Sequence, residues 1–132
     1  MSRINPEQSV IVFDLDDTLY AEYEYKYSGI RAVTVLVAKL YPEFGETELL
    51  EKIDADGNGW LDELCALCNF NSEEKKSLLW YYRLHTPVLT PYWHPQKLAA
   101  FIRRFAAAAL ITDGRSLTQR LKLDALGIRC LF

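Results

Sequence analysis

The apolar run Val10-Ile11-Val12-Phe13 passes without a break into Asp14-Leu15-Asp16-Asp17-Thr18. Consecutive apolar residues ending in a carboxylate cluster predict a strand buried on both faces, as inside a parallel sheet, that runs out into an acidic loop. In open α/β sheets, ligands bind beyond the carboxyl ends of the strands, so acids placed there face a substrate. Asp14 and Asp16 lie two positions apart, a spacing that in extended chain turns both side chains to one side. Two converging carboxylates repel unless a cation sits between them. Mg²⁺ suits hard oxygen ligands at close spacing, and a phosphate substrate would bring further oxygens.

Asp14-Leu15-Asp16-Asp17-Thr18 behind its apolar strand resembles the first motif of the haloacid dehalogenase (HAD) superfamily, whose members are mostly Mg²⁺-dependent phosphatases. The resemblance implies that Asp14 attacks phosphorus to give an aspartyl-phosphate. Asp16 would protonate the leaving oxygen and then activate water. It further implies that the Asp14 carboxylate and the Asp16 backbone carbonyl bind the metal, with Thr18 supporting the loop. Dehalogenases of the superfamily generally lack the second acid, so Asp16 favours phosphoryl chemistry over carbon–halogen cleavage.

At 132 residues, half of them apolar, the chain has material for one compact core with a small insertion and not for two full domains. A net charge of -3 and the lack of any Lys/Arg run argue against a nucleic-acid surface. No apolar stretch approaches the ~18 residues of a membrane span, and no basic, then hydrophobic, leader is present. The expected location is cytoplasmic. Three cysteines, an odd number, suit a reducing compartment better than a disulfide framework.

A polar lead-in over 1–8 precedes a first strand over 9–14. Residues 19–27 are unusually aromatic, with Tyr20, Tyr23, Tyr25 and Tyr27, where the family has a flap leading into a cap. Ile30, Val33, Val37, Leu40 and Tyr41 recur at helical spacing behind Ser28 as an N-cap, predicting a helix over 29–41. Further helices are predicted after Glu46, around Trp60 to Cys68, and from Asn71 or Ser72, where Glu73 and Glu74 suit a helix start. Pro87, Pro91 and Pro95 punctuate a hinge strand over 86–95. A helix over 95–105 follows, then a second strand over 106–112, a helix over 116–126 stopped by Gly127, and a third strand over 128–132.

The second strand closes on Thr112-Asp113-Gly114-Arg115, which resembles the second motif of the same superfamily. Its implied roles are a Thr112 hydroxyl holding a phosphate oxygen, a close backbone approach at Gly114, and Thr112, Asp113 and Gly114 together as the phosphate-binding turn. Arg115 and aromatic residues of the insertion would meet the leaving group. The tail through Gln119, Lys122-Leu123 and Leu126-Gly127-Ile128 resembles HAD hydrolases with a small helical cap. The expected architecture is an α/β fold with a Rossmann-type parallel sheet of about three strands, discontinuous over 1–20 and 90–132, and an all-α cap over 21–89. The expected function is Mg²⁺-dependent hydrolysis of a small phosphorylated metabolite.

The pattern breaks after the third strand. There a family member would carry a Lys that steadies phosphate and nucleophile, then a strand ending in metal-binding acids; this sequence has neither, and impaired catalysis is expected. Lys122 does not fill that place in the motif, because it lies in the helix directly after Thr112. Family sheet order would leave the first strand with one unpaired hydrophobic edge, which invites pairing. The expectation is therefore a piece of a longer chain, or a homodimer or other partner across that edge. An alternative function is a non-catalytic remnant that binds through this edge.

Other patterns carry weaker signals. Asp54-x-Asp56-x-Asn58-Gly59 matches the start of a calcium loop, but its twelfth position is Cys65 instead of Glu, and a capped interhelical turn is expected. Cys65 and Cys68 share a helical face without a second ligand pair and are expected to pack in a core, as is Cys130. His85 and His94 are expected in the hinge, solvated or near substrate, and Trp80, Tyr81, Tyr82, Tyr92 and Trp93 as packing.

Overall fold

The computed structural model describes residues 3–132; the first two residues of the polar lead-in lie outside the described residues. The chain divides into two compact units, Met1–Glu24 with Thr86–Phe132, and Tyr25–His85, where the sequence placed the boundaries at 20/21 and 89/90. Helix α1 (Glu22–Leu40) begins in the first and continues through the second.

In the first unit, β1 (Val10–Phe13) pairs in parallel with β2 (Ala107–Leu110), with Val10 opposite Ala107 and Phe13 opposite Leu110. The Ala106 amide on the Ser9 carbonyl at 3.0 Å and the Ile111 amide on the Phe13 carbonyl at 2.9 Å extend the ladder at both ends. An alanine run is a weak strand former, so this pairing, more than local preference, makes β2 extended. Before it, α5 (Pro95–Ile102) starts with a proline whose missing amide costs nothing there, and His94 Nδ1 accepts from the Gln96 amide. After β2, α6 (Ser116–Leu126) ends where Gly127 takes the left-handed conformation at φ 71°.

Four expectations fail here. The sheet has two strands, because residues 128–132 hold a 3₁₀ turn over Arg129–Leu131 instead of a strand. Ile128 is buried, Arg129 bonds back to Asp124 of α6 at 3.1 Å, and the Phe132 ring meets Phe13 edge-on, so this segment folds onto its neighbours and not along the sheet. Cys130 is accordingly exposed, not core. β1 is covered on one face only: Val10 and Val12 remain 60% and 53% exposed while Ile11 and Phe13 are half-buried. The hinge strand over 86–95 reduces to one bridge between Tyr20 and Pro91, with the Tyr92 amide on the Leu19 carbonyl; its three prolines remove the donors that a longer ladder needs.

The second unit is all helix: the body of α1, then α2 (Glu46–Lys52), α3 (Trp60–Cys68) and α4 (Ser72–Leu84). Ile30, Val33 and Val37 of α1 bury with Leu49, Leu64 and Leu78 in one core that takes in Cys65 and Cys68. Burial raises both thiols above their ordinary value, which leaves them packing groups, not nucleophiles. Asn71 caps α4 through a capping box with Glu74. The loop over 54–59 is an Asx turn, with the Asp56 amide on Asp54 Oδ1 and the Gly57 carbonyl taken by Lys26 Nζ at 2.7 Å.

Ser28 is not a helix cap, since α1 starts at Glu22; its hydroxyl lies 3.1 Å from His85 Nε2. His85 is buried, with its other nitrogen on the Tyr82 carbonyl, and burial holds its pKa below the ordinary imidazole value. It is a structural hydrogen-bonding group of this unit, not a solvated hinge residue. Of the five aromatic residues expected to pack, Trp80, Tyr81, Tyr92 and Trp93 are exposed, whereas Tyr82 lies against Tyr25 and Trp60.

Tyr82 and His85 pack directly onto the backbone of Gly29: a Cβ there would stand 2.3 Å from Tyr82 Cε2 and 2.9 Å from His85 Cε1. Gly29→Ala should therefore destabilise the protein by roughly 1–3 kcal/mol, overriding the ~1 kcal/mol that alanine gains in a helix. Urea unfolding followed by circular dichroism measures this, and an unchanged or raised midpoint would contradict the contact.

Candidate active site at the strand ends

The site lies within the first unit, where both strands stop. β1 delivers Asp14 as its next residue, exposed, with Oδ1 accepting from the Leu15 amide at 2.9 Å. Leu15, fully buried, anchors the turn, and the Thr18 and Leu19 amides both bond its carbonyl. Asp17 takes the left-handed conformation at φ 59°, which aspartate tolerates, and its carboxylate accepts from the Glu22 amide at the start of α1. Thr18 is exposed, and its backbone, not its hydroxyl, is what the structure ties into the turn.

Asp16 turns inward and is the centre of the arrangement. Lys122 Nζ stands 2.8 Å from Oδ1, the Tyr20 hydroxyl donates to the same oxygen, and Gln119 Nε2 donates to Oδ2 at 3.1 Å. Burial alone would raise the Asp16 pKa, but the hydrogen bonds from Lys122, Tyr20 and Gln119, with the Lys122 charge, outweigh it and hold the group below the ordinary carboxylate value. Electrostatic relief for the paired aspartates therefore comes in part from an ammonium group of the chain itself.

The second strand brings Thr112 to the same place. Gln119 Nε2 is 2.6 Å from Thr112 Oγ1, so one amide nitrogen touches side chains from the two segments that the sequence singled out separately. Asp113 is exposed, with its backbone carbonyl 3.5 Å from the same nitrogen. Gly114 sits at φ 150°, and a Cβ there would lie 3.0 Å from Gln119 Cδ. The glycine is needed at this position because it leaves room for Gln119. Arg115 flanks the start of α6 without capping it. A cleft of about 480 Å³ opens here, walled by Thr112, Gly114, Ser116 and Arg120 over Leu110 and Leu123.

Gln119, Lys122 and Tyr20 are the site residues to which the sequence reading assigned no role. The available signal was their position: Gln119, Lys122 and Leu126 fall on one face of α6, and all three are buried, so two polar side chains occupy places where a helix normally turns apolar ones inward. The position of Lys122 in the helix after Thr112 sets it outside one place in a motif and carries no information on its distance to Asp16. Among the described residues no group of three or more His, Cys, Asp or Glu side chains is placed to hold a metal ion, and no helix is long and apolar enough to cross a membrane.

The Asp16–Lys122 pair is 22% and 8% exposed by side chain. Removing one member of a buried pair leaves the other charge uncompensated, so Lys122→Met should cost about 3 kcal/mol at neutral pH. A carboxylate held low stabilises the fold above its unfolded pKa of about 3.9 and loses that contribution as pH falls through the folded value. Denaturation at several pH values should show the gap between wild type and variant narrowing below about pH 4; a gap independent of pH would refute the pairing.

No protein-family model and no curated protein sequence matches the chain. Among solved structures it is similar to the crystal structure of a haloacid dehalogenase-like family hydrolase from Xanthomonas campestris, with TM-score 0.49 and 18% identity, over 96% of this chain and 59% of that one. This chain thus spans about three-fifths of the length of that neighbour.

Proposed function

We propose that the protein is a HAD-like phosphomonoester hydrolase that works through an aspartyl-phosphate on Asp14. The observation that carries the reading is the convergence on Gln119: Asp16 at 3.1 Å and Thr112 at 2.6 Å, from segments far apart in sequence, share one buried amide beside the end of β1. An exposed carboxylate next to a hydroxyl and a charge-compensated second carboxylate suits in-line attack on phosphorus. In this reading an Asp14 oxygen bonds to phosphorus as the ester oxygen leaves with a proton from Asp16. Asp16 then takes a proton from the water that cleaves the acyl-phosphate and is restored for the next turnover. Lys122 stabilises the carboxylate form, and a bound phosphate dianion would raise the proton affinity of Asp16 by like-charge repulsion.

The donor set fits Mg²⁺ of the kind that keeps most of its waters. Asp14 offers an exposed carboxylate, and such a site asks of the protein only one or two carboxylates beside substrate oxygens. The Asp16 side chain is engaged at both oxygens, which leaves its backbone carbonyl as the group the metal would use. When bound, the ion would neutralise phosphoryl oxygens. The proposed phosphate-binding turn is Thr112, Asp113 and Gly114, and the proposed substrate is a small phosphorylated metabolite.

The test is phosphate release from an aryl phosphate. Wild type should turn over with Mg²⁺ and stop with chelator, and Asp14→Asn should fall to the level of buffer alone. Equal release by wild type and Asp14→Asn would sink the reading.

The openness of β1 supports a second reading, an interaction module that pairs with its own copy. β2 is its only hydrogen-bonded strand neighbour among the described residues, and Val10 and Val12 are largely exposed. Sedimentation over a concentration series should then show a dimer that Val12→Lys abolishes, and a monomer at every concentration would eliminate this reading.

A further inference from the structure

Gln119 is 5% exposed, and its side-chain amide touches both Asp16 and Thr112. A carboxamide has a donating end and an accepting end of nearly the same shape, so packing alone does not choose between its two orientations. Asp16 makes the choice. Before substrate binds, beside the Lys122 ammonium at 2.8 Å, it is a carboxylate that accepts at both oxygens, so the atom facing it must be the nitrogen, and a proton later taken up on Oδ1 leaves Oδ2 accepting from that nitrogen.

The same nitrogen then faces Thr112 Oγ1, and the hydroxyl oxygen receives a hydrogen bond from Gln119. The hydroxyl proton is left free to point into the cleft that Thr112 helps to wall. Phosphoryl oxygens accept hydrogen bonds and do not donate them, so only a hydroxyl presented as a donor can hold one. With the carboxamide reversed, its oxygen would draw the Thr112 proton inward and the site would lose that donor. Gly114 belongs to the same device, since a Cβ on it would press on the Gln119 amide at 3.0–3.3 Å.

We infer that Gln119 is a positioning residue which, oriented by Asp16, holds the Thr112 hydroxyl as a hydrogen-bond donor toward the phosphoryl group. The inference rests on the phosphatase reading, because a phosphoryl oxygen is the acceptor it supplies.

The test is a double-mutant cycle on the affinity for inorganic phosphate, measured by calorimetry in Mg²⁺ buffer with Gln119→Met, Thr112→Val and the double variant, each checked for folding by circular dichroism. Each single change should weaken binding about tenfold, as for one hydrogen bond to an ionised group, and the double change should weaken it no further. Losses that multiply to roughly a hundredfold, or a Gln119→Met variant with wild-type affinity, would overturn the inference while leaving the phosphate reading intact. Wild type with no phosphate affinity overturns both. Should Gln119→Met fail to fold, the Gln119 side-chain amide protons decide by NMR: Thr112→Val and added phosphate should each shift them, and resonances indifferent to both would overturn the inference.

Discussion

The buried contact between Asp16 and Lys122 governs how the site is put together. A carboxylate turned away from solvent is stable only if its oxygens are met, and here an ammonium, a phenol and an amide meet them. Those groups come from the loop after β1 and from α6, so satisfying one side chain also fixes the helix against the loop. Thr112 and Gly114 lie between β2 and α6, and their geometry follows from where Gln119 has to be.

Much of the fold was legible because it rests on local rules. The apolar run at Val10–Phe13, the proline at the start of α5, the Asn71–Glu74 box and the left-handed Gly127 each act within a few residues, and each stands where its chemistry predicts. What failed depends on partners far away in sequence. Nothing near Val12 says whether a second layer covers it, and nothing near Arg129 says that it will turn back to Asp124. Ser28 looked like a cap because a hydroxyl before an apolar helical stripe usually is one; its actual partner is His85.

The site divided along the same line. Asp14, Asp16 and Thr112 stand at strand ends because short motifs carry the turn that puts them there. Lys122 and Gln119 are not legible in the same way, because periodicity places a polar residue on the outward face of a helix unless a buried partner is known. The partner was Asp16, far away in sequence. Polar side chains in the buried register of an otherwise amphipathic helix are thus a usable signal in their own right.

The parallel pairing of β1 with β2 joins segments that flank the whole of the Tyr25–His85 unit. For the unfolded chain this is a long loop to close, and long-range parallel pairing is slow to form. Inside that unit α3 packs on its sequence neighbour α4, a contact of the kind that forms early, while α1 reaches the end of α4 at Gly29 and Ser28. Once it is compact, the loop that remains to be closed is effectively much shorter. The sheet and the charge pair that α6 makes with Asp16 both depend on closing that loop, so the site exists only once the chain segments on either side of the inserted unit have come together.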